Sequence, residues 1–226
     1  MDRQQAWENE YSSSHGVPTS TRSEPSLALA KLFEYANVHQ LNLGNRVIDL
    51  GCGTGRNSIY LAGKGYQVSS IDFSRMALEK FRKAIRGSHV ATRIVVKEAS
   101  LEERLPFADD SFDLAIDIVS SMTLRPEVMP AYEREVKRVV RRDGYYLSYV
   151  LSDDDGYRLA HAKKGDMFTI SDAGTIDHYL TAGYLKTLYS DWTVLDIQKI
   201  TKNSEMFFGK EYTRKLWWTL MRNAKS

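Results

Sequence analysis

Apolar residues fall in short runs broken by polar turns, and two periods alternate along the chain. The runs Arg46–Leu50, Tyr66–Asp72, Thr92–Lys97, Phe112–Ile118 and Tyr145–Leu151 predict strands. Between them the apolar positions recur at helical spacing. Ser26 reads as an N-cap before Leu27, Leu29, Leu32, Phe33, Ala36 and Val38. Ile59, Leu61 and Ala62 open a helix after Gly55, and Ser74 caps one reaching Arg86 with Met76, Ala77, Leu78, Phe81, Ala84 and Ile85 on one face. Pro126 to Arg142 reads as a helix closed by a left-handed Gly144. Residues 152–157 read as a solvated loop. Asp166–Ile170 and Thr175–Leu180 flank a turn pattern at Ser171-Asp172-Ala173-Gly174, a hairpin inserted around 152–180. Thr181 caps a helix to about Tyr189, followed by strands over Asp191–Ile200 and Tyr212–Met221. Strands that alternate with helices predict an α/β domain with a mostly parallel sheet, covering residues 26–226.

Candidate chemistry concentrates after the first strand, in Asp49-Leu50-Gly51-Cys52-Gly53-Thr54-Gly55. Strand, glycine-rich turn and helix open a nucleotide-binding βαβ unit. The dinucleotide spacing G-x-G-x-x-G is absent. The sixth position is Arg56 counted from Gly51 and Ser58 counted from Gly53, which disfavours an NAD-type dehydrogenase. An acid, Asp72, ends the second strand on the same sheet edge. In a βαβ site such an acid accepts from ribose hydroxyls, and its alternative role is to cap the helix that follows.

The Asp-x-Gly-x-Gly-x-Gly pattern resembles motif I of the class I S-adenosylmethionine (SAM) dependent methyltransferases. The resemblance runs through residues 47–151, including Leu105-Pro106-Phe107 and Asp109-Asp110-Ser111-Phe112-Asp113. It implies a three-layer α/β/α sandwich with a seven-stranded sheet, the last strand antiparallel. It also implies SAM as cofactor and S-adenosylhomocysteine as product, with no metal. Asp49 would lie near the methionine amino group, and Gly51, Cys52, Gly53 and Gly55 would line the cofactor. Asp72 would hold the ribose, Phe73 would pack on the adenine, and Ser100 and Leu101 would meet its edge. Asp117 would border the cofactor at the end of the fourth strand. The chain departs from the family at Ser100, where an Asp is expected. Asp117-Ile118-Val119-Ser120 replaces the Asn/Asp-Pro-Pro-Tyr/Phe of nucleic-acid amino-methyltransferases, which counts against base methylation.

Composition narrows the remaining classes. The 226 residues fit one domain, with 42 % hydrophobic and 27 % charged residues and a net charge of +2. That charge gives no support for a nucleic-acid partner. No apolar run reaches the length of a membrane helix, the start lacks a signal-peptide core, and the single Cys52 forms no internal disulfide, so a cytoplasmic protein is expected. Residues 1–25 are polar and read either as a tail or, given Trp7, Tyr11 and Val17, as a lid of the kind seen in small-molecule members of the family. Asp153, Asp154 and Asp155 have no second ligand cluster and read as a solvated loop rather than a metal site.

Methyl transfer needs a base only where the acceptor must lose a proton. Tyr11, His15, Tyr157, His161 and His178 are the candidates, with His161 first and Tyr11 beside it. The expected acceptor is a small molecule. A protein or RNA acceptor, or a non-catalytic SAM-binding scaffold, are the alternatives.

Overall fold

The structure is a computed structural model that describes residues 3–12, 22–170, 174–207 and 209–224. Its helices are α1 (Arg3–Ser12), α2 (Leu27–Val38), α3 (Arg56–Gly63), α4 (Arg75–Ile85), α5 (Met129–Val139), α6 (Gly156–His161) and α7 (Ala182–Leu188). Its strands are β1 (Arg46–Leu50), β2 (Gln67–Asp72), β3 (Ile94–Glu98), β4 (Phe112–Ile118), β5 (Val140–Leu151), β6 (Phe168–Ile170), β7 (Ile176–His178), β8 (Thr193–Phe207) and β9 (Lys210–Arg222).

Seven strands form one sheet in the order β3-β2-β1-β4-β5-β9-β8. Pairing is parallel from β3 to β5, and β9 runs antiparallel between β5 and β8. Every residue of β4 is buried, as expected for a central strand covered on both faces. One core contains Val47, Ile48, Leu50, Leu114, Ile116, Leu147 and Val150 from the sheet, with Leu29 and Leu32 from α2, Phe81 from α4 and Val136 from α5 packed on it. The chain leaves β1 toward β2 on one side, while β4 pairs on the other. That reversal opens a crevice at the carboxyl ends of β1 and β4, where sheets of this kind bind ligands.

The helix starts agree with the caps legible in the sequence. Ser26 accepts from Ala28 N, Ser74 from Ala77 N and Thr181 from Tyr184 N. Three expectations need correction. The helix expected over 126–142 is only Met129–Val139, and β5 begins at Val140. Gly144 is not its left-handed cap; Asp143 has φ of 58° instead. Gly144 is required for another reason, because a Cβ there would meet Asp113 O at 2.9 Å and Val140 Cγ1 at 2.8 Å. The loop expected over 152–157 carries the first residues of α6, whose N-cap Asp155 accepts from Tyr157 N and Arg158 N. The hairpin is present as β6 paired with β7, and Ser171, Asp172 and Ala173 of its turn lie outside the described residues.

At the amino end of β4, Asp113 ties the sheet together. Its carboxylate accepts from Arg46 N at 2.8 Å, Asn45 N at 3.0 Å and Arg141 Nε at 2.7 Å. Partial burial alone would raise its pKa, but these donors hold it below the usual carboxylate range.

Candidate functional site

The glycine loop crosses the carboxyl end of β1 with all three glycines at positive φ: Gly51 at 70°, Gly53 at 54° and Gly55 at 85°. Each has a different spatial reason. A Cβ on Gly51 would fall 1.7 Å from Ser120 Oγ, and one on Gly55 would fall 2.2 Å from the Phe81 ring. Gly55 therefore lets α3 and α4 pack closely. A Cβ on Gly53 would come 2.6 Å from Tyr11 Oη, so the backbone there lies bare toward α1.

Two acids stand at this edge. Asp49 is buried, and Ser58 Oγ donates to its Oδ2 at 2.6 Å. Burial pushes its pKa up to about 7, with Asp72 and Asp117 adding to the rise. Asp72 accepts from Gly53 N at 2.8 Å on one oxygen and from Ser74 N at 2.9 Å on the other. It thus fixes the loop and caps α4 together. The Phe73 N–H also acts on this carboxylate; with two lone pairs on each oxygen, Asp72 keeps acceptor capacity for a hydroxyl. Cys52 is buried and burial raises its thiol well above the usual range, which suits packing rather than nucleophilic chemistry.

Helix α1 lies over this edge. Arg3 sits 4.5 Å above the Phe73 ring, and Gln4 Nε2 donates to Phe73 O at 3.2 Å. Glu8 accepts from Arg75 N at 2.8 Å and Met76 N at 3.1 Å, capping α4 from outside. Lys80 donates to the Tyr11 carbonyl. Tyr11 Oη is pushed well above its usual pKa by burial and by Asp72. That makes Tyr11 a poor proton acceptor and a wall of the site. His15 and Val17 lie outside the described residues.

Asp117 does not present its carboxylate to the glycine loop. It accepts from Ser120 N at 3.3 Å and Ser121 N at 3.1 Å on one oxygen, and from Tyr132 Oη at 2.9 Å and Tyr146 Oη at 3.3 Å on the other. Those contacts pin the turn after β4, where Val119 has φ of 62°. A β-branched residue in that region is strained, and Val119 N donating to Tyr149 O at 2.8 Å helps hold it. Ser100 Oγ accepts from Glu102 N at 3.1 Å. Leu101 is buried beside Gly51.

A cavity of about 510 Å³ opens beside the loop. Arg56, directly after Gly55, forms one wall; Val119 and Met122 after β4 form another; Trp7 of α1 covers it. The far side is Tyr149 and Leu151 of β5, Asp177 of β7, Lys202 and Glu205 of β8, and Arg214 and Leu216 of β9. Asp177 is enclosed by packed atoms although part of its surface faces the cavity. Burial, with help from Asp155 and Glu10, raises its pKa to about 6 against the opposing pull of Arg214.

His161 is not among the lining residues. It is exposed on α6, stacked 4.3 Å from Tyr157, with its Nε2 2.8 Å from Tyr212 Oη. His178 packs 6.2 Å from the Phe168 ring and also lies off the cavity wall. The aspartates at 153–155 serve the fold: Asp155 pairs with Arg214 at 2.8 Å, and Asp154 with Lys199 at 2.9 Å and Lys215 at 3.0 Å. Among the described residues no group of three or more His, Cys, Asp or Glu is arranged to hold a metal. No described helix is long and apolar enough to cross a membrane.

Sequence reasoning missed Tyr149, Asp177, Lys202 and Arg214 as site residues, and it marked Trp7 only as part of a possible lid. None of the four sits in a motif, and only the fold brings them to one wall.

Residues 47–144 match the methyltransferase domain family. Methyltransferase GfsG of Streptomyces halstedii is 37 % identical over 117 residues, covering 50 % of this chain and 39 % of that protein. The chain therefore spans well under two thirds of that relative's length. Two solved structures share the fold. One, solved for the conversion of a disulfide bond into a thioacetal group during echinomycin biosynthesis, aligns with TM-score 0.76 and 22 % identity over 99 % of this chain and 94 % of its own. The other is Burkholderia thailandensis 1,6-didemethyltoxoflavin-N1-methyltransferase with bound 1,6-didemethyltoxoflavin and S-adenosylhomocysteine. It aligns with TM-score 0.65 and 18 % identity over 88 % of this chain and 79 % of its own.

Proposed function

We propose, given that residues 47–144 match the methyltransferase domain family and the fold is shared with solved methyltransferases, that the chain transfers a methyl group from SAM to a small molecule. The observation that carries this reading is the cavity of about 510 Å³ that Arg56, the residue directly after the three-glycine loop, helps to line. Its size is that of a small-molecule site.

SAM, when bound, supplies a methyl group already activated on a sulfonium. The bare backbone at Gly53 and the lone pairs left on Asp72 fit its adenosyl part, and Asp49 fits its ammonium. Phe73 and Leu101 offer apolar surface to the base. Asp117 acts at one remove, holding the Val119 turn between cofactor and acceptor. Helix α1 serves as the lid, with Tyr11 over Gly53 and Trp7 over the acceptor cavity, and so excludes water. Asp177 replaces His161 and Tyr11 as the residue placed to take an acceptor proton, since a carboxyl near pKa 6 is matched to neutral pH. The transferase reading extends to methyl transfer of the EC 2.1.1 class, and a cytoplasmic setting is part of the proposal.

Calorimetric titration with SAM, S-adenosylhomocysteine and NADH tests the cofactor. Micromolar binding of the two adenosyl ligands and none of NADH is expected, with Asp72→Ala weakening both by roughly tenfold or more through loss of a charged acceptor. Failure of both adenosyl ligands to bind a folded protein refutes the proposal.

A further inference from the structure

The groups lining the acceptor cavity differ in what they lack. Tyr149 Oη and Trp7 Nε1 are both buried atoms with no hydrogen-bond partner among the described residues. Tyr149 is 1 % exposed, and its ring is held in β5. An indole N–H can only donate, and a phenol with no donor beside it is free to donate as well. A buried donor without a partner is costly, and the cavity has one on its far wall, Tyr149, and one in its cover, Trp7, which an acceptor atom from outside the chain could satisfy.

Charge points the same way. Arg22, Arg56, Lys202 and Arg214 line the cavity together with Glu24, Asp177 and Glu205. The acids are largely committed. Glu205 accepts from Arg22 Nη2 at 2.7 Å, and although burial would raise its pKa, Arg22, Lys202 and Arg214 hold it low. Glu24 is exposed at the mouth, and its backbone oxygen takes an N–H of Arg56 at 2.9 Å. Arg214 is bound to Asp155 behind the wall at 2.8 Å and opposes the charge of Asp177 in front of it. Among the described residues, the Lys202 ammonium lines the cavity with no hydrogen bond and no ion pair within 4 Å, Glu205 being the acid that acts on its charge. Burial lowers its pKa, Glu205 opposes that, and Arg22, Arg56 and Arg214 push downward again, so three cations crowd an ammonium that a single acid offsets. An incoming anion relieves that repulsion. The rest of the wall is apolar: Met122, Leu151 and Leu216 are each almost fully buried and face the same space.

We propose that the acceptor of this cavity is a small molecule bearing a carboxylate, anchored by Lys202 with the hydrogens of Tyr149 and Trp7, its apolar body resting on Met122, Leu151 and Leu216. The proposal deepens the methyltransferase reading and rests on it. Asp177, on the opposite side of the charge balance, remains the group that takes a proton.

The test is ligand-observed NMR on the full-length protein, with and without saturating S-adenosylhomocysteine, using matched sets of substituted benzoates, benzamides and benzylamines. The ring is shared within each set, so the head group, anionic, neutral or cationic, is what varies. Binding is expected to concentrate in the benzoates. Lys202→Met should weaken it by roughly tenfold or more, and Tyr149→Phe by severalfold, because each loses a donor to a charged group. Tyr149→Phe keeps the ring and removes an unpartnered hydroxyl, so it folds even if Lys202→Met does not. Calorimetry should find the affinity for S-adenosylhomocysteine unaltered in both variants. Equal binding by the three classes, preference for benzylamines, no benzoate binding, or a benzoate preference that survives both variants overturns the proposal. If S-adenosylhomocysteine itself fails to bind the unaltered protein, the methyltransferase reading falls instead, and the benzoate result without it still reports on the cavity.

Discussion

Asp49→Asn should make this protein more stable and bind SAM less well, and the two effects should separate by pH. Asp49 is 2 % exposed, and burial raises its pKa from 3.8 to about 7. Between those values the folded chain holds a proton that the unfolded chain has released. Folding stability therefore falls as pH rises through that window and stays low above it. That span of about 3 pH units corresponds to a ceiling of about 4 kcal/mol. Neighbouring Asp72 and Asp117 share in the coupling, so about 1 to 3 kcal/mol between about pH 5 and pH 8 is the working expectation. The asparagine side chain cannot ionise, yet its carbonyl oxygen can still accept from Ser58 Oγ. Urea denaturation of both proteins across that range gives the difference directly. The stability gap in favour of the Asp49→Asn variant should widen with pH and level off above about pH 7. Titration with SAM should show the reverse cost, an affinity loss of roughly tenfold or more, because the ammonium loses its charged partner. In the unaltered protein SAM affinity should rise with pH toward about 7, since the cation binds the ionised form and expels the proton. A stability gap independent of pH would show that Asp49 is already ionised in the free protein and refute the reasoning.

Two further outcomes follow from the same geometry. Gly55→Ala combines a φ of 85° with a Cβ 2.2 Å from the Phe81 ring. Unfolding curves should show a loss of about 2 to 4 kcal/mol, and a loss below about 1 kcal/mol would mean the α3–α4 contact opens freely. Asp113→Asn should cost about 2 kcal/mol at neutral pH, because the depressed carboxylate loses its charge-assisted bonds to Arg46 and Arg141. The sign is opposite to Asp49: a depressed folded pKa gives stability present above about pH 4 and lost as pH falls further. The penalty should therefore shrink in acid, and a penalty constant down to about pH 2 contradicts the assignment.

The glycine loop and the helix caps were legible because their determinants are local. A glycine that must take positive φ, a serine that caps the next turn and an acid that ends a strand act on residues a few positions away. Gly51, Gly53, Gly55, Ser26, Ser74, Thr181 and Asp72 could thus be read one by one, and the βαβ order placed the three glycines and Asp72 on a common edge. The parallel sheet with one late antiparallel strand was likewise expected from the alternation of periods together with the family resemblance. Gly144 misled because a glycine after a helix has two uses, and only the neighbouring Asp113 backbone shows that close approach, not a left-handed turn, requires it.

The cavity beside the loop carries no local signature. Tyr149, Asp177, Lys202 and Arg214 are ordinary residues in ordinary elements; Tyr149, Lys202 and Arg214 meet because β9 inserts antiparallel between β5 and β8, and the β6–β7 hairpin adds Asp177. His161 looked like a base by residue type but is exposed on α6 and off the cavity wall. Asp117 looked like a cofactor contact by position but is consumed by four donors. Chain order determines which residues end each strand. Which way a buried carboxyl points, and which donors go without a partner, depends on packing between segments far apart in sequence. The sequence alone therefore determined the sheet and the glycine cradle, whereas the charge and shape of the cavity beside it exist only once the distant strands have closed around it.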